Sequence, residues 1–355
     1  MTKRNPESER IKLQYFEFLK QADGKSEATI RQVEKALLRF EEFTGFASLK
    51  SFNQKQASGF KDHMAGQKLA PATILITLNN LKRFLLWLCL QPGFKIAINK
   101  TDIEYLNLPE KDIRAATAPA DKPRPTLQMV EKVVANMPNQ TAIEKRNRAL
   151  VAFIAITGIR DGALISLKLK HFDRARMLIL QNPLEVSTKF SKRIDTFLFP
   201  LNEQFEQIFL DWVDYLKSQE LFADHDPLFP KTALGHDDND CFIPTGLSRE
   251  HWANASPVRT IFKAAFEAAQ LPVFTPHSFR HMIVAQMYDR NLSVAQFKAW
   301  SQNLGHEGAM TTLTSYGKLS LHEQERLVRE TTNNQSEPSL SIDQIENLLK
   351  KYRNK

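Results

Sequence analysis

The sequence predicts a mainly α protein with a small β-sheet, split into a helical N-terminal part and a mixed α/β C-terminal part. Three observations predict it. Apolar residues recur at helical spacing from 7 to about 110, a proline-bearing stretch at 115–125 interrupts them, and short strand-like runs between 177 and 200 lie among further helical segments.

Each element has a local reason. Residues 7–19 place Ile11, Tyr15, Phe16 and Leu19 on one helical stripe. Ser26 caps a second helix that runs to Phe43 and is closed by Gly45. A third covers 53–66. The fourth starts at Pro71, whose fixed φ suits a first turn, runs to about Leu90 and stops at Gln91-Pro92-Gly93. Residues 115–125 lack bulky apolar side chains and read as an extended linker. Thr126 caps the next helix, and a long apolar helix follows over 143–156. Strand-like runs sit at 177–180, 186–189 and 196–200, and helical periodicity returns at 203–219, 257–269, 278–290 and 293–303. Beyond a polar break at 333–339, Ser341-Ile342-Asp343-Gln344 has the form of a capping box. Ile342, Ile345, Leu348, Leu349 and Tyr352 then share one stripe. The expected organisation is a helical domain over 1–114, a linker over 115–125, a second domain over 126–332 and a tail with an amphipathic helix over 333–355.

A chain of 355 residues is long for one domain. Hydrophobic residues at 42% and charged residues at 25% are ordinary for a globular protein, and a net charge of +8 favours a polyanionic partner. The charge is uneven: Lys50, Lys55, Lys61, Lys68, Lys82, Arg83, Lys95 and Lys100 face a single acid, Asp62, between 50 and 100. That block reads as a phosphate-contacting face, against the plainer reading of an ordinary basic surface. Cys89 and Cys241 are too few for a disulfide framework or zinc site, and Cys89 reads as a small buried apolar residue. The apolar run from Ala149 to Ile159 is too short to span a bilayer, and no apolar stretch follows the charges at the N-terminus. Neither membrane nor secretion is expected, and the reducing cytoplasm is the default.

Six dispersed residues carry the chemistry: Arg160, Lys189, His277, Arg280, His306 and Tyr316. A phosphodiester is anionic and repels nucleophiles, so attack on it needs charge neutralised at the non-bridging oxygens. Arg160 and Arg280 suit that task, because a guanidinium fork bonds two oxygens and keeps its charge. His277 and Arg280, three apart on a helix, share a face, whereas His281 points elsewhere and reads as structural. Tyr316 is the expected nucleophile: a phenol with ordinary pKa near ~10 needs a base or a cationic pocket. His277 could serve as base or shuttle, Lys189 could protonate the leaving 5′-oxygen, and His306 could bond a phosphate oxygen. Tyr352 is the main rival nucleophile. A covalent phosphotyrosine stores the bond energy, so no cofactor, ATP or metal is expected. The acidic run His236-Asp237-Asp238-Asn239-Asp240 reads as a solvated loop rather than a metal site.

In order and wording, Thr157-Gly158-Ile159-Arg160, Thr188-Lys189, His277-Ser278-Phe279-Arg280, Leu304-Gly305-His306 and Tyr316 resemble the tyrosine recombinase (phage integrase) family. The resemblance implies a helical core-binding domain and a mixed α/β catalytic domain that grip duplex DNA as a C-shaped clamp. It implies helices 26–43 and 71–90 in the major groove, with Thr73, Thr77, Asn80, Lys82 and Arg83 exposed and touching DNA. It also implies a 3′-phosphotyrosine, strand exchange within a homotetramer, and the tail helix or segment 318–332 docking on a neighbouring subunit. The expected role is integration or excision of a mobile element. Chromosome-dimer resolution and DNA inversion use the same chemistry, and a catalytically idle DNA-binding architectural protein is the alternative of a different class. A metal-dependent nuclease is a further one. Two departures stand out. Ala163 occupies a position that is acidic in many members, with Asp161 a possible substitute, and the Lys189 hairpin lacks the usual glycines, leaving Lys192 as a second candidate acid. Little chain precedes the first helix, which suits an architecture without a separate arm-site domain.

Overall fold

The computed structural model describes residues 4–118, 123–237, 239–290 and 292–306. The chain divides into two compact units, Met1–Ala118 and Pro119–Lys355.

The first unit is helical: α1 Pro6–Gln21, α2 Glu27–Phe43, α3 Gln54–Gly66, α4 Pro71–Leu88, α5 Lys100–Glu104 and α6 Glu110–Thr117. Side-chain caps define four of the starts. Asn5 accepts from the amides of Glu7 and Ser8, Ser26 from Thr29, Asn53 from Gln56, and Asn99 from Thr101. Gly45 turns the chain after α2 at a φ of 64°. Ile11, Tyr15 and Leu19 bury the α1 stripe, and Tyr15 meets Phe84 and Trp87 of α4 at ring separations of 5.1 and 5.0 Å. Phe40 and Phe60 join α2 to α3 edge to face. Cys89 is buried among these apolar side chains. The helices α5 and α6 depart from expectation. Both are short, and α6 takes in Ala115 to Thr117, which the sequence assigns to a linker. Exposed Glu110 and Arg114 pair across one turn of it, a contact too local to leave an apolar period.

The second unit opens with α7 Leu127–Asn136 and α8 Ala142–Thr157, then α9 Asp161–Leu164. Strands β1 Phe172–Asp173, β2 Leu178–Gln181 and β3 Ile194–Phe197 form an antiparallel sheet in that order, with Leu178 opposite Phe197 and Gln181 opposite Ile194. After α10 Glu203–Ser218 comes a hairpin of β4 Thr232–His236 and β5 Phe242–Leu247, then α11 Ser256–Ala268, α12 Ser278–Asp289 and α13 Val294–Asn303. Helix α8 is the axis of the core. From Ala149 to Thr157 every side chain is buried, as a helix apolar all round requires, and Phe153 packs on Phe209 and Phe229. A Thr141–Glu144 capping box starts it.

One strand expectation fails here, and one hairpin is not expected from the sequence. Residues 186–189 form no strand: after Asn182 the chain turns, Val186 alone among the described side chains of 182–191 is fully buried, and a 3-10 turn covers Lys189–Ser191. The β4–β5 hairpin escapes the sequence pattern, because Pro244 and Gly246 mask a strand whose outer face is exposed. Within the acidic run His236 ends β4, and Asp237 accepts the amides of Asn239 and Cys241; Asp238 lies outside the described residues. Among the described residues no helix is long and apolar enough to cross a membrane.

Candidate active site

The site forms where three helix ends meet. Helix α8 stops at Gly158, whose φ of 58° and ψ of 23° put it in the left-handed region. A Cβ there would sit 2.8 Å from Ile283 Cδ1 and 2.9 Å from Leu304 Cδ2, so the position needs glycine twice over. Thr157 Oγ1 donates to Phe153 O at 2.7 Å and accepts from Ile159 N at 3.3 Å, steadying the turn. The chain then delivers Arg160, half-buried, as the N-cap residue of α9.

Arg280, in the first turn of α12, is 2% exposed. Its Nη1 donates to Gly158 O at 2.6 Å, and its Nη2 donates to Leu304 O at 2.5 Å. The same Nη2 lies 3.0 Å from His306 Nε2, while Nε has no hydrogen-bond partner among the described residues. One guanidinium therefore ties the end of α8 to the turn after α13. Two carbonyls and an imidazole do not neutralise a buried cation, and among the described residues no carboxylate pairs with it.

His306 is 6% exposed. Gly305, at a φ of 71°, presses against Ile194 of β3, where a Cβ would come within 2.7 Å of Cδ1. Burial, then the charges of Arg280, Arg160 and His277, push His306 down to about 3. The fields of Arg280, Arg160 and His277 thus all act on this one imidazole. His277 precedes α12 at the exposed rim, its ring edge-on to His281 at 5.6 Å.

Lys189 is exposed on the β2–β3 connection. That connection docks on the Arg160 side through Ser187 N, which donates to Ser166 Oγ at 2.9 Å. Lys192, the alternative acid, is half-buried three residues on. Ala163 is buried, and Asp161 pairs with Arg259 of α11 at 2.7 Å.

Tyr316, its rival Tyr352, segment 318–332 and the tail helix lie outside the described residues. Three of the four described tyrosines have partners of their own. Tyr15 is pushed up to about 12, chiefly by burial, and Tyr105 belongs to the same first unit. Tyr215 donates to Glu220, and Tyr288 packs on Phe297.

In the first unit the expected exposure of the DNA-contact candidates needs correction. Thr77 is not exposed: it is 3% accessible, accepts Arg39 Nη1 at 3.1 Å and donates to Thr73 O at 2.8 Å. Thr73 and Asn80 are half-buried, and Lys82 is bound to Glu104 at 2.8 Å and Asn107 at 2.9 Å. Only Arg83 of the five is exposed. The basic block is also less unbalanced than its sequence window suggests, since Glu7 pairs with Lys50 and Glu104 with Lys82 from outside it.

Asn303 is a residue the sequence does not mark. Its Oδ1 accepts Phe197 N at 2.7 Å, its Nδ2 donates to Phe197 O at 2.9 Å, and its own carbonyl accepts Thr196 Oγ1 at 3.0 Å. The amide imitates a strand neighbour on the β3 edge and holds the Gly305-His306 turn against the sheet. No local signal announces a contact made across that length of chain.

The sequence profile of the phage integrase family matches residues 126–322, more than half of the chain. The chain belongs to that family and is a tyrosine-type site-specific recombinase. No curated protein matches it by sequence. Among solved structures it is similar to the Tn1549 transposon integrase in complex with transposon right end DNA, at 15% identity and a TM-score of 0.60, covering 91% of this chain and 99% of that one. A lambda integrase dimer bound to a COC′ core site gives 15% identity and 0.60, with 88% and 97% covered. A lambda integrase tetramer bound to a Holliday junction gives 16% and 0.58, with 90% and 84% covered. At these identities the likeness concerns the fold.

Proposed function

We propose that this recombinase cuts and rejoins duplex DNA through a 3′-phosphotyrosine on Tyr316, as a homotetramer on DNA, to integrate or excise a mobile element. The observation that carries the reading is the buried Arg280 guanidinium, which contacts His306 and pairs with no carboxylate among the described residues, while Arg160 and His277 act electrostatically on the same imidazole. A cation desolvated this far calls for an anion, and Nε, without a partner among the described residues, is the donor left for a phosphodiester oxygen. Arg160 and Arg280 hold the non-bridging oxygens, and His306 bonds one of them. The Tyr316 oxygen attacks phosphorus and passes its proton to His277. The bond to the 5′-oxygen breaks with its electron pair, and that oxygen takes a proton from Lys189. Attack by the 5′-hydroxyl of a partner duplex reverses each step, so the phosphoester count is unchanged and no ATP is consumed.

DNA and tetramer are the states in which structurally similar integrases are found, and the cytoplasm, where the chromosome lies, is the matching compartment. The division into a DNA-gripping unit and a catalytic unit follows the same reading. A nicked suicide substrate, from which the 5′-fragment diffuses away, tests the chemistry. Wild type and Tyr352→Phe should accumulate a covalent protein–DNA adduct in EDTA, and Tyr316→Phe should not. An adduct formed equally by Tyr316→Phe, or its loss on chelation, ends the reading.

A further inference from the structure

The connection from β2 to β3 carries Lys189. Leu184 is 90% exposed, Lys189 is exposed, and Val186 is the one fully buried apolar anchor among the described side chains. Polar attachments supplement it. Ser187 N reaches Ser166 Oγ, and Glu185 reaches back to the segment entering β1.

That second attachment is built around His171, which is 4% exposed. His171 Nδ1 accepts the Lys168 amide at 3.0 Å, so the ring proton sits on Nε2, which donates to Glu185 Oε2 at 2.9 Å. Glu185 Oε1 takes Lys170 Nζ at 2.6 Å. Lys170, then His171, draws the Glu185 carboxyl down to about 2, which keeps it an ionised acceptor across the working range of pH. A buried imidazole with both nitrogens engaged has one orientation, and it transmits that orientation to a carboxylate four residues before the lysine.

We propose that the His171–Glu185 pair is a positioning device for Lys189, fixing where its ammonium meets the departing 5′-oxygen. The inference rests on the reading of Lys189 as the proton donor. Neither His171 nor Glu185 touches DNA; each acts through the loop. As the bond from phosphorus to the 5′-oxygen breaks, the lysine proton goes to that oxygen. A donor displaced by about 1 Å loses on the order of a hundredfold in rate.

The test replaces the bridging 5′-oxygen by sulfur, whose thiolate leaves without a proton. Single-turnover cleavage of both substrates is measured for wild type, Glu185→Ala, Glu185→Gln and Lys189→Ala, with melting curves to confirm folding. Lys189→Ala should slow cleavage of the oxygen substrate about a hundredfold or more and approach wild type on sulfur. Glu185→Ala should slow the oxygen substrate about tenfold or more and fall within about twofold of wild type on sulfur. Glu185→Gln, which keeps an acceptor for His171, should be intermediate. If Glu185→Ala matches wild type on oxygen, or is equally slow on both substrates, the positioning role is wrong. If Lys189→Ala is not rescued by sulfur, the proton-donor assignment itself falls, which is a separable result. Rescue of Glu185→Ala in that case would mean that the pair serves another acid, and the inference for Lys189 would fall with it.

Discussion

Arg280 Nη2 lies 3.0 Å from His306 Nε2, and arginine has no acceptor. The imidazole nitrogen therefore accepts, and its proton resides on Nδ1. Adding a second proton at Nε2 would turn this contact into a clash of two buried cations. Burial and the neighbouring charges accordingly hold the ring down to about 3. The unfolded ring titrates near ~6.5, so between these values the unfolded chain binds a proton that the folded chain refuses. This contribution is complete above pH ~6.5 and is lost as pH falls toward ~3, by at most about 1.4 kcal/mol per pH unit. Thermal melts from pH 7.5 to 4.5 should show wild type losing more stability than His306→Gln. Parallel curves would mean that the ring is not held neutral.

The two arginines should separate in their effects. Arg280 is structural whatever its chemistry, because its Nη groups satisfy Gly158 O and Leu304 O. Arg280→Ala should remove cleavage and cost about 3 kcal/mol of stability by breaking a buried charged network. Arg160 is half-buried at a helix start. Arg160→Ala should abolish adduct formation while moving the melting midpoint little. Equal destabilisation by both would show that Arg160 is part of the scaffold.

Gly305 lets the His306 turn approach the sheet. Its φ is 71°, and a methyl group on its α-carbon would stand 2.7 Å from Ile194 Cδ1, so Gly305→Ala meets both backbone strain and overlap. A cost of about 1–3 kcal/mol follows, together with loss of cleavage as His306 shifts. Trimming Ile194 to valine removes the overlapping Cδ1 and should recover part of the stability lost in Gly305→Ala. No recovery in the double variant would assign the whole cost to φ.

What could be read from the sequence was local. Ser26, Asn53, Pro71 and Thr126 mark helix starts through side-chain caps or a fixed φ, and the structure starts helices there. The words around Arg160, His277, Arg280 and His306 are likewise short and lie at element ends. What could not be read depends on distant partners. Thr77 looks exposed by composition until Arg39 of α2 covers it, and Lys82 looks free until Glu104 reaches it. The β4–β5 hairpin carries Leu234 and Phe242 outward, so its pattern never resembles a half-buried strand. Asn303 meets Phe197 across most of a domain.

Those distant partners decide which basic residues can serve DNA. Arg83 is exposed, whereas Lys82 already holds Glu104 and Asn107, and Lys50 holds Glu7. An engaged ammonium must break its ion pair before it meets a phosphate, so its net gain is small. Arg83→Ala should therefore weaken binding of every duplex alike and lower the salt dependence by about one counterion. Lys82→Ala should change the slope less. Thr77→Ala should act through stability instead, since it leaves the Arg39 guanidinium and a buried turn of α4 without their hydroxyl, at about 1–2 kcal/mol. Fluorescence anisotropy across a salt series, paired with melts of each variant, checks all three. A steeper loss of slope for Lys82→Ala than for Arg83→Ala would show that the Glu104 pair opens on DNA and that the lysine, not the arginine, faces the backbone.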